Sequence, residues 1–255
     1  MNNPARPRIG SVPFLNSAPL THGIEGDTIF APPSALAKLL HEGEVDAALL
    51  SVTAVLLTEG YDILDGIAVA SHGAVRSVFL AHRRPIEEAK AIYCDTASLT
   101  SVNLLRVLLS QRGLAPQLLP LEDPGTAANH DFVLLIGNAG LDFLDSPHDH
   151  TIWDLGAAWH ELTGLPFVYA VWALRRGAHD AALRQKLRQA RARGLGDLQQ
   201  IIASYPRYDE STRRTYLTSN LHYGLENPEK SGLARFTALL RKSAVGRVYD
   251  PAYVR

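Results

Sequence analysis

Hydroxyl and amide side chains recur in this sequence where an apolar, strand-like run gives way to a helical pattern. Such residues are ordinary helix caps when they are taken one at a time. In an open α/β sheet, however, the carboxyl ends of the strands meet at one crevice, so we expect the set to converge there. Neutral donors and helix N-termini together favour a carboxylate or a phosphate, which predicts a small organic acid as ligand. The candidate substrate-binding residues are Asn16, Ser51, Thr53, Ser98, Thr100, Ser101 and Asn138.

The segment GAVRSVF adds two further candidates. Arg76 could supply a cationic fork for a carboxylate, and the alternative is an ordinary surface salt bridge. Ser77 could supply another hydroxyl. No Glu or Lys converges on the predicted crevice as a general base. His72, beside Gly73, is the second choice for that role because of its pKa range, and the alternative is an exposed hinge residue.

Several other chemistries are disfavoured. His148 and His150 flank Asp149 in a polar loop, and this spacing lacks the helical i, i+4 separation that places two imidazoles on one ion. The run GNAG, 137–140, lacks both the Walker lysine and the dinucleotide glycine spacing. We therefore expect no metal and no cofactor.

Strand-like and helix-like runs alternate along most of the 255 residues, which is typical of an α/β protein. The first long helix is expected to have Ser34 as its N-cap and to end at Gly43. The predicted strands are 8–12, 45–50, two runs within 66–81 separated by a bend at His72 and Gly73, 91–94, 132–136 and 167–174. The predicted later helices are 101–111, 178–193 and 232–242.

The strand-like run FVYAVWAL is expected to return the chain to its first half. This predicts a discontinuous lobe I, residues 1–85 and 172–255, and an inserted lobe II, residues 86–171. A cleft between two lobes is a common place for a small ligand. In the tail, Leu183, Leu187 and Ala190 predict a packed helix whose cations face solvent.

Composition narrows the class of protein. A hydrophobic content of 46% can furnish a real core, and a formal net charge of −1 without a basic patch disfavours a nucleic-acid partner. The only cysteine, Cys94, excludes an intramolecular disulfide framework. No run of eighteen apolar residues and no export signal are evident, so we expect a cytoplasmic protein without a membrane partner. Apolar surface on the tail helices would suit a homodimer.

Six segments together resemble a known family: IGSVPFLNSAPL, PSALAKLLHEGEVDAALLS, GAVRSVFL, DTASLTSVNLLRVLL, VLLIGNAGL and DLGAAWHELTGLPFVYAVWA. The chain is similar to the menaquinone-biosynthesis chorismate dehydratases of the futalosine route, collinearly over about residues 8–175. The resemblance implies a type II periplasmic-binding-protein-like fold used as a lyase. It implies chorismate as substrate and 3-[(1-carboxyvinyl)oxy]benzoate as product, through loss of water.

The resemblance also implies roles for individual residues. Asn16 and Ser77 match the positions most closely tied to substrate binding and turnover, so they are the catalytic candidates. The hydroxyls of Ser98, Thr100 and Ser101 are expected to hold a carboxylate. The chain departs from the pattern at Asn138, where relatives often have aspartate, and at Leu99, where arginine is common.

Two alternatives stay open at this point. The first is a non-catalytic protein that binds a small carboxylate, because the implied fold is widely used as a ligand trap. The second is the related lyase that cleaves cyclic dehypoxanthine futalosine, although its expected proline- and aspartate-rich N-terminal motif is missing from SVPFLNSAPL.

Overall fold

The computed structural model describes residues 8–97, 99–243 and 245–255 and contains two β-sheets flanked by helices. The strands are β1 (Ile9–Ser11), β2 (Thr28–Phe30), β3 (Ala47–Ser51), β4 (Tyr61–Ser71), β5 (Val78–His82), β6 (Ala91–Cys94), β7 (Gln117–Pro120), β8 (Phe132–Ile136), β9 (Thr151–Asp154), β10 (Phe167–Arg175) and β11 (Tyr253–Val254). The helices are α1 (Ala18–Thr21), α2 (Pro33–Glu42), α3 (Val52–Leu56), α4 (Leu99–Gln111), α5 (Gly137–Asp145), α6 (Leu155–Thr163), α7 (Ala181–Gly196), α8 (Leu198–Ser204), α9 (Glu210–Thr215) and α10 (Asn227–Lys242).

Each sheet mixes parallel and antiparallel strands. The first sheet has the order β11-β4-β10-β3-β1-β2, and β10 runs antiparallel to both of its neighbours. The second sheet has the order β7-β6-β8-β5-β9, in which β5 is antiparallel to β8 and β9. The parallel strands β1 and β3 of the first sheet and β6 and β8 of the second run into the segments that carry most of the predicted site residues.

The chain crosses between the sheets twice. The first crossing is the segment 72–77 between β4 and β5, and the second is 155–166, which contains α6. The chain thus passes from one sheet to the other several residues before each of the predicted lobe boundaries, 85/86 and 171/172. The bend predicted at His72 and Gly73 is confirmed as the start of the first crossing.

Most of the predicted elements are confirmed, and β6 and β8 have the predicted bounds. The prediction of Ser34 as a helix N-cap is wrong, because α2 begins at Pro33 and no side-chain cap bond forms. Proline fits this first helical position because no N–H is needed there. Gly43 ends α2 as predicted, with a φ of 73° that favours glycine.

The tail packs against the first sheet rather than forming a separate unit. Leu183, Leu187 and Ala190 are buried in α7, which confirms the predicted packed face. A Cβ on Gly194 would lie 1.9 Å from the Pro19 carbonyl oxygen, so α7 and α1 touch at their backbones. Among the described residues, every helix falls short of the length and hydrophobicity that a membrane span requires.

Candidate functional site

Four of the predicted site residues line one cleft between the two sheets. The cleft has a volume of about 640 Å³, counting the part open to solvent. Its walls are mostly apolar, and no Asp, Glu, His, Lys or Arg is among the lining residues in the described part of the chain. The polar lining residues are Asn16, Ser51, Ser77, Ser101 and Tyr169. The site is therefore a neutral, donor-rich pocket.

Asn16 lies in a single 3₁₀ turn, Leu15–Ser17, that follows β1. The Ser17 hydroxyl oxygen lies 2.6 Å from the Val12 carbonyl oxygen, to which it donates, and this bond closes the loop. Pro19 stands in the first turn of α1, as the sequence predicts. These restraints hold the Asn16 amide at the cleft wall.

Ser77 is 2% exposed and accepts a hydrogen bond from a tyrosine far along the chain. The Tyr216 hydroxyl donates to Ser77 Oγ at 2.7 Å, and the Asn16 side chain also bonds to Tyr216. Burial raises the pKa of Tyr216 to about 12, so the phenol keeps its proton. Because Ser77 Oγ accepts this bond, its own proton is available to an acceptor in the cleft.

The backbone just before Ser77 forms a tight turn. The Ser77 N–H donates to the Val75 carbonyl at 2.7 Å, and Arg76 between them has a φ of 65°. A γ-turn of this hand costs about 1–3 kcal/mol for a residue other than glycine. The Asp154 carboxylate offsets that cost, since it accepts from the Val75 N–H at 3.1 Å and from the Arg76 N–H at 2.7 Å.

Asp154 also joins the two crossings. It is the N-cap of α6, and its Oδ1 accepts from the Ala157 N–H at 2.9 Å. One carboxylate therefore fixes the start of the second crossing and the turn in the first crossing that presents Ser77.

Ser51 and Ser101 line the other side of the cleft. Ser51 is the residue before α3, but its side chain makes no capping bond, so the ordinary capping role predicted as an alternative is not realised there. Ser101 is the third residue of α4 and is 2% exposed. Both residues therefore line the same cleft as Asn16 and Ser77.

Comparison with known proteins identifies the family. A family model described as menaquinone biosynthesis matches residues 7–242. The chain belongs to this family. A chorismate dehydratase from Thermus thermophilus is 34% identical over 260 aligned residues, which cover 92% of this chain and 96% of the relative. The family predicted from the sequence is thus confirmed.

Solved structures confirm the predicted fold class. A protein from Archaeoglobus fulgidus superposes with a TM-score of 0.75 at 14% identity, covering 93% of this chain and 97% of that one. The periplasmic aliphatic sulphonate binding protein SsuA from Escherichia coli superposes with a TM-score of 0.64 at 16% identity, covering 98% of this chain and 93% of that one. This menaquinone biosynthesis family member has the two-sheet fold of periplasmic binding proteins.

Three of the remaining predicted residues lie beside the cleft rather than on its lining. The Thr100 hydroxyl accepts from the Thr53 backbone N–H at 2.9 Å, which joins α4 to α3. Asn138 Oδ1 lies 3.5 Å from the Leu15 backbone nitrogen, whose N–H points towards it. These residues join elements of the two sheets next to Asn16 and Ser51. Ser98 lies outside the described residues.

Arg76 is half-buried and is not among the cleft-lining residues. Its Nε is buried without a hydrogen-bond partner in the described part of the chain. A buried guanidinium donor without a partner is costly, and the surface salt bridge predicted as an alternative is absent among the described residues.

The histidines considered in the sequence as metal ligands or as a general base do not line the cleft. The Asp149 carboxylate pairs with Arg83, with a distance of 2.6 Å between Oδ1 and Nε. The His150 Nε2 atom lies 2.7 Å from the His130 carbonyl oxygen. His72, the second choice for a general base, is exposed and faces Glu229 rather than the cleft.

Sequence reasoning missed three residues of the site. Tyr169 lines the cleft, and its hydroxyl lies 3.1 Å from Ser71 Oγ. Tyr216 and Asp154 hold Ser77 and its turn. The pattern D-L-G-A before an apolar helical run could have identified Asp154 as a cap, but not its reach to Val75.

Proposed function

We propose that this chain is a chorismate dehydratase, a hydro-lyase that removes water from chorismate to give 3-[(1-carboxyvinyl)oxy]benzoate. The observation that carries the proposal is the 34% identity to a chorismate dehydratase along nearly the whole of both chains. The site agrees with it, because four of the predicted residues, Asn16, Ser51, Ser77 and Ser101, line one cleft.

The reaction makes modest demands on the protein. A ring C–H bond and the neighbouring C–OH bond break, the C–H electron pair enters the ring, and the hydroxide leaves with a proton as water. The ring becomes aromatic, which supplies a large driving force. The enzyme mainly has to fix the reactive conformer and assist the departing hydroxide.

Neutral donors suit a substrate with two carboxylates. Asn16 and Ser77 can donate to the substrate without adding an anion, and Ser77 keeps its proton free for this because Tyr216 donates to it. Ser101, in the first turn of α4, is a proposed carboxylate partner. Arg76 is proposed as a second one, and because it is not among the lining residues its side chain would have to move to reach the substrate. Thr53, Thr100 and Asn138 are proposed to position these groups from behind.

The cleft lining offers no ionisable side chain among the described residues to take the ring proton. We therefore propose that the enolpyruvyl carboxylate of chorismate itself accepts it, with Asn16 and Ser77 holding that carboxylate near the ring. The substrate then provides the base and the protein provides its orientation.

We also propose that the two sheets are the cores of the two lobes and that the crossings 72–77 and 155–166 connect them. Ser77 and Asp154 lie within or beside these crossings. Any change in the angle between the lobes would therefore act directly on the segment that presents Ser77.

A direct assay tests the activity. Purified protein is mixed with chorismate, the loss of the diene absorbance is followed, and the product is identified by mass spectrometry. Formation of 3-[(1-carboxyvinyl)oxy]benzoate is expected. Binding of chorismate with an unchanged spectrum would instead make the chain a binding protein, and cleavage of cyclic dehypoxanthine futalosine would make it the related lyase.

Variants test the site assignment. Asn16→Ala and Ser77→Ala should each strongly reduce turnover, and wild-type rates in both would overturn the assignment. Asn16→Asp should lower kcat/KM by at least about 100-fold, because a new anion faces a dianionic substrate. Asn129→Asp, an exposed position with the same charge change, serves as the control.

A further inference from the structure

Outside the cleft, two histidines and a glutamate converge beside the first crossing. His72 Nε2 lies 3.2 Å from Glu229 Oε1, and His222 Nε2 lies 3.1 Å from the same oxygen. The two imidazole rings have their centroids 4.1 Å apart. The three ligating atoms all lie within 4.8 Å of one another.

The two nitrogen-to-oxygen separations match the ligand shell of a small cation. Tetrahedral bonds of about 2.0–2.1 Å, the usual length for nitrogen and oxygen on Zn²⁺, place neighbouring ligand atoms about 3.3 Å apart. The two measured nitrogen-to-oxygen distances are close to that value. Two imidazoles and one carboxylate are also a common protein ligand set for this ion.

The ligands are held by their surroundings. Glu229 Oε2 accepts from the Glu226 backbone N–H at 2.8 Å, which leaves Oε1 turned towards the histidines. The His222 backbone exchanges two hydrogen bonds with Ala70, the last residue but one of β4. The glutamate side chain is 4% exposed, whereas that of His72 is 55% exposed. A buried, oriented carboxylate with an accessible histidine gives an ion both a fixed ligand and a path of entry.

We propose that His72, His222 and Glu229 form a binding site for a divalent transition metal of the zinc class. The metal would join the first crossing, through His72, to the N-terminal turn of α10, through Glu229. Three protein ligands leave a fourth tetrahedral position for water. The site is separate from the catalytic proposal, because none of the three residues lines the cleft.

The test uses full-length protein without an affinity tag, treated with a chelator and then titrated with Zn²⁺ against a chromophoric competitor. One equivalent should bind, and Co²⁺ should give the visible absorption of a four-coordinate ion. The metal should also raise Tm, and above Kd the stabilisation should grow with the logarithm of the free metal concentration. Absence of stoichiometric binding would overturn the proposal and leave the three residues as an ion-pair network only.

Two variants locate the site. His72→Ala removes an exposed ligand, so the fold should be retained, and Zn²⁺ affinity should fall by at least about 100-fold. His222→Ala should have the same effect. His160→Ala, which removes an exposed histidine on α6, should bind like the wild type. Unchanged affinity in both ligand variants would place the metal elsewhere and refute the assignment.

Discussion

The Tyr216 hydroxyl donates a 2.7 Å hydrogen bond to Ser77 Oγ across a separation of 139 residues. Tyr216 is the first residue of a π-helical turn, Tyr216–Asn220, that continues α9. The C-terminal part of the chain thus supports, from behind, a cleft whose polar lining residues come from the first 101 residues and from β10. The bond orients a hydroxyl that would otherwise rotate freely.

Tyr216→Phe should lower kcat/KM by about tenfold, because Ser77 loses the donor that orients its hydroxyl. The fold should survive the loss of a single oxygen. Steady-state kinetics with chorismate and a thermal unfolding curve give both quantities.

Tyr223→Phe is the matched control for that variant. Its hydroxyl is also buried but has no hydrogen-bond partner in the described part of the chain. Removing it should leave activity unchanged and stability equal or higher. Equal activity loss in both variants would show that the Tyr216 bond has no special role.

Asp154→Asn should reduce kcat/KM by about 10- to 100-fold, because a small displacement of Ser77 misaligns the reacting groups. The amide has one acceptor oxygen where the carboxylate has two, so the γ-turn at Arg76 loses support. We expect kcat to fall more than KM rises, since the turn positions Ser77 rather than binding substrate.

Asp180→Asn separates this effect from a loss of helix capping. Asp180 caps α7 through a 2.8 Å bond from the Leu183 N–H and lies outside both crossings. The Asp180→Asn variant should keep the wild-type kcat and KM. Parallel kinetic losses in the two aspartate variants would argue for a general stability effect instead.

The pH profile of kcat/KM distinguishes the source of the base. Burial raises the pKa of Tyr216 to about 12, so as pH rises its donating, protonated form persists up to that value. With the substrate carboxylate as proton acceptor, we expect a profile that is flat from about pH 6 to 9. A limb near pH 6.5, where histidine ordinarily titrates, would contradict this mechanism.

Gly194→Ala should destabilise the protein by about 1–3 kcal/mol, because the added methyl would overlap the Pro19 carbonyl. Relief of this overlap would displace α1 and, with it, Asn16 in the turn before α1, so activity should fall as well. Denaturant unfolding measures the first effect.

Gly196→Ala, two residues further in the same helix, is the control. A Cβ there meets nothing within 4 Å, so the change should be neutral or slightly stabilising. If both substitutions gave the same free energy of unfolding, the close contact of α7 with α1 would carry no energetic weight.

Sequence patterns predicted the α/β class and most central elements because buried strands such as β8 are continuous apolar runs. Short edge strands such as β2, β7 and β11 were missed because two to four residues carry too little periodicity. Asn16, Ser51 and Ser101 were predictable because the carboxyl ends of the strands before them converge in this fold, whereas Ser77 was predicted from the GAVRSVF segment and the family resemblance. Tyr216 and Asp154 were not, because their partners are set by tertiary contacts with no local signal.

The proposed metal ligands also come together through tertiary contacts that leave no local signal in the sequence. His148 and His150, which flank Asp149, attract attention in the sequence, yet His148 is half-buried and stacks on Phe143, and His150 bonds to a backbone carbonyl. The histidines that converge are 150 residues apart in the chain. Only the pairing of His222 with β4 brings them together.

The hydrogen bond from Thr53 to Thr100, together with the approach of Leu15 to Asn138, has a consequence for ligand affinity. Each joins a segment that follows a strand of the first sheet to a segment that follows a strand of the second, so any increase in the spacing of the two cleft walls would strain both contacts. A ligand that spread the walls would have to break both contacts, and the free energy of breaking them would weaken its measured affinity.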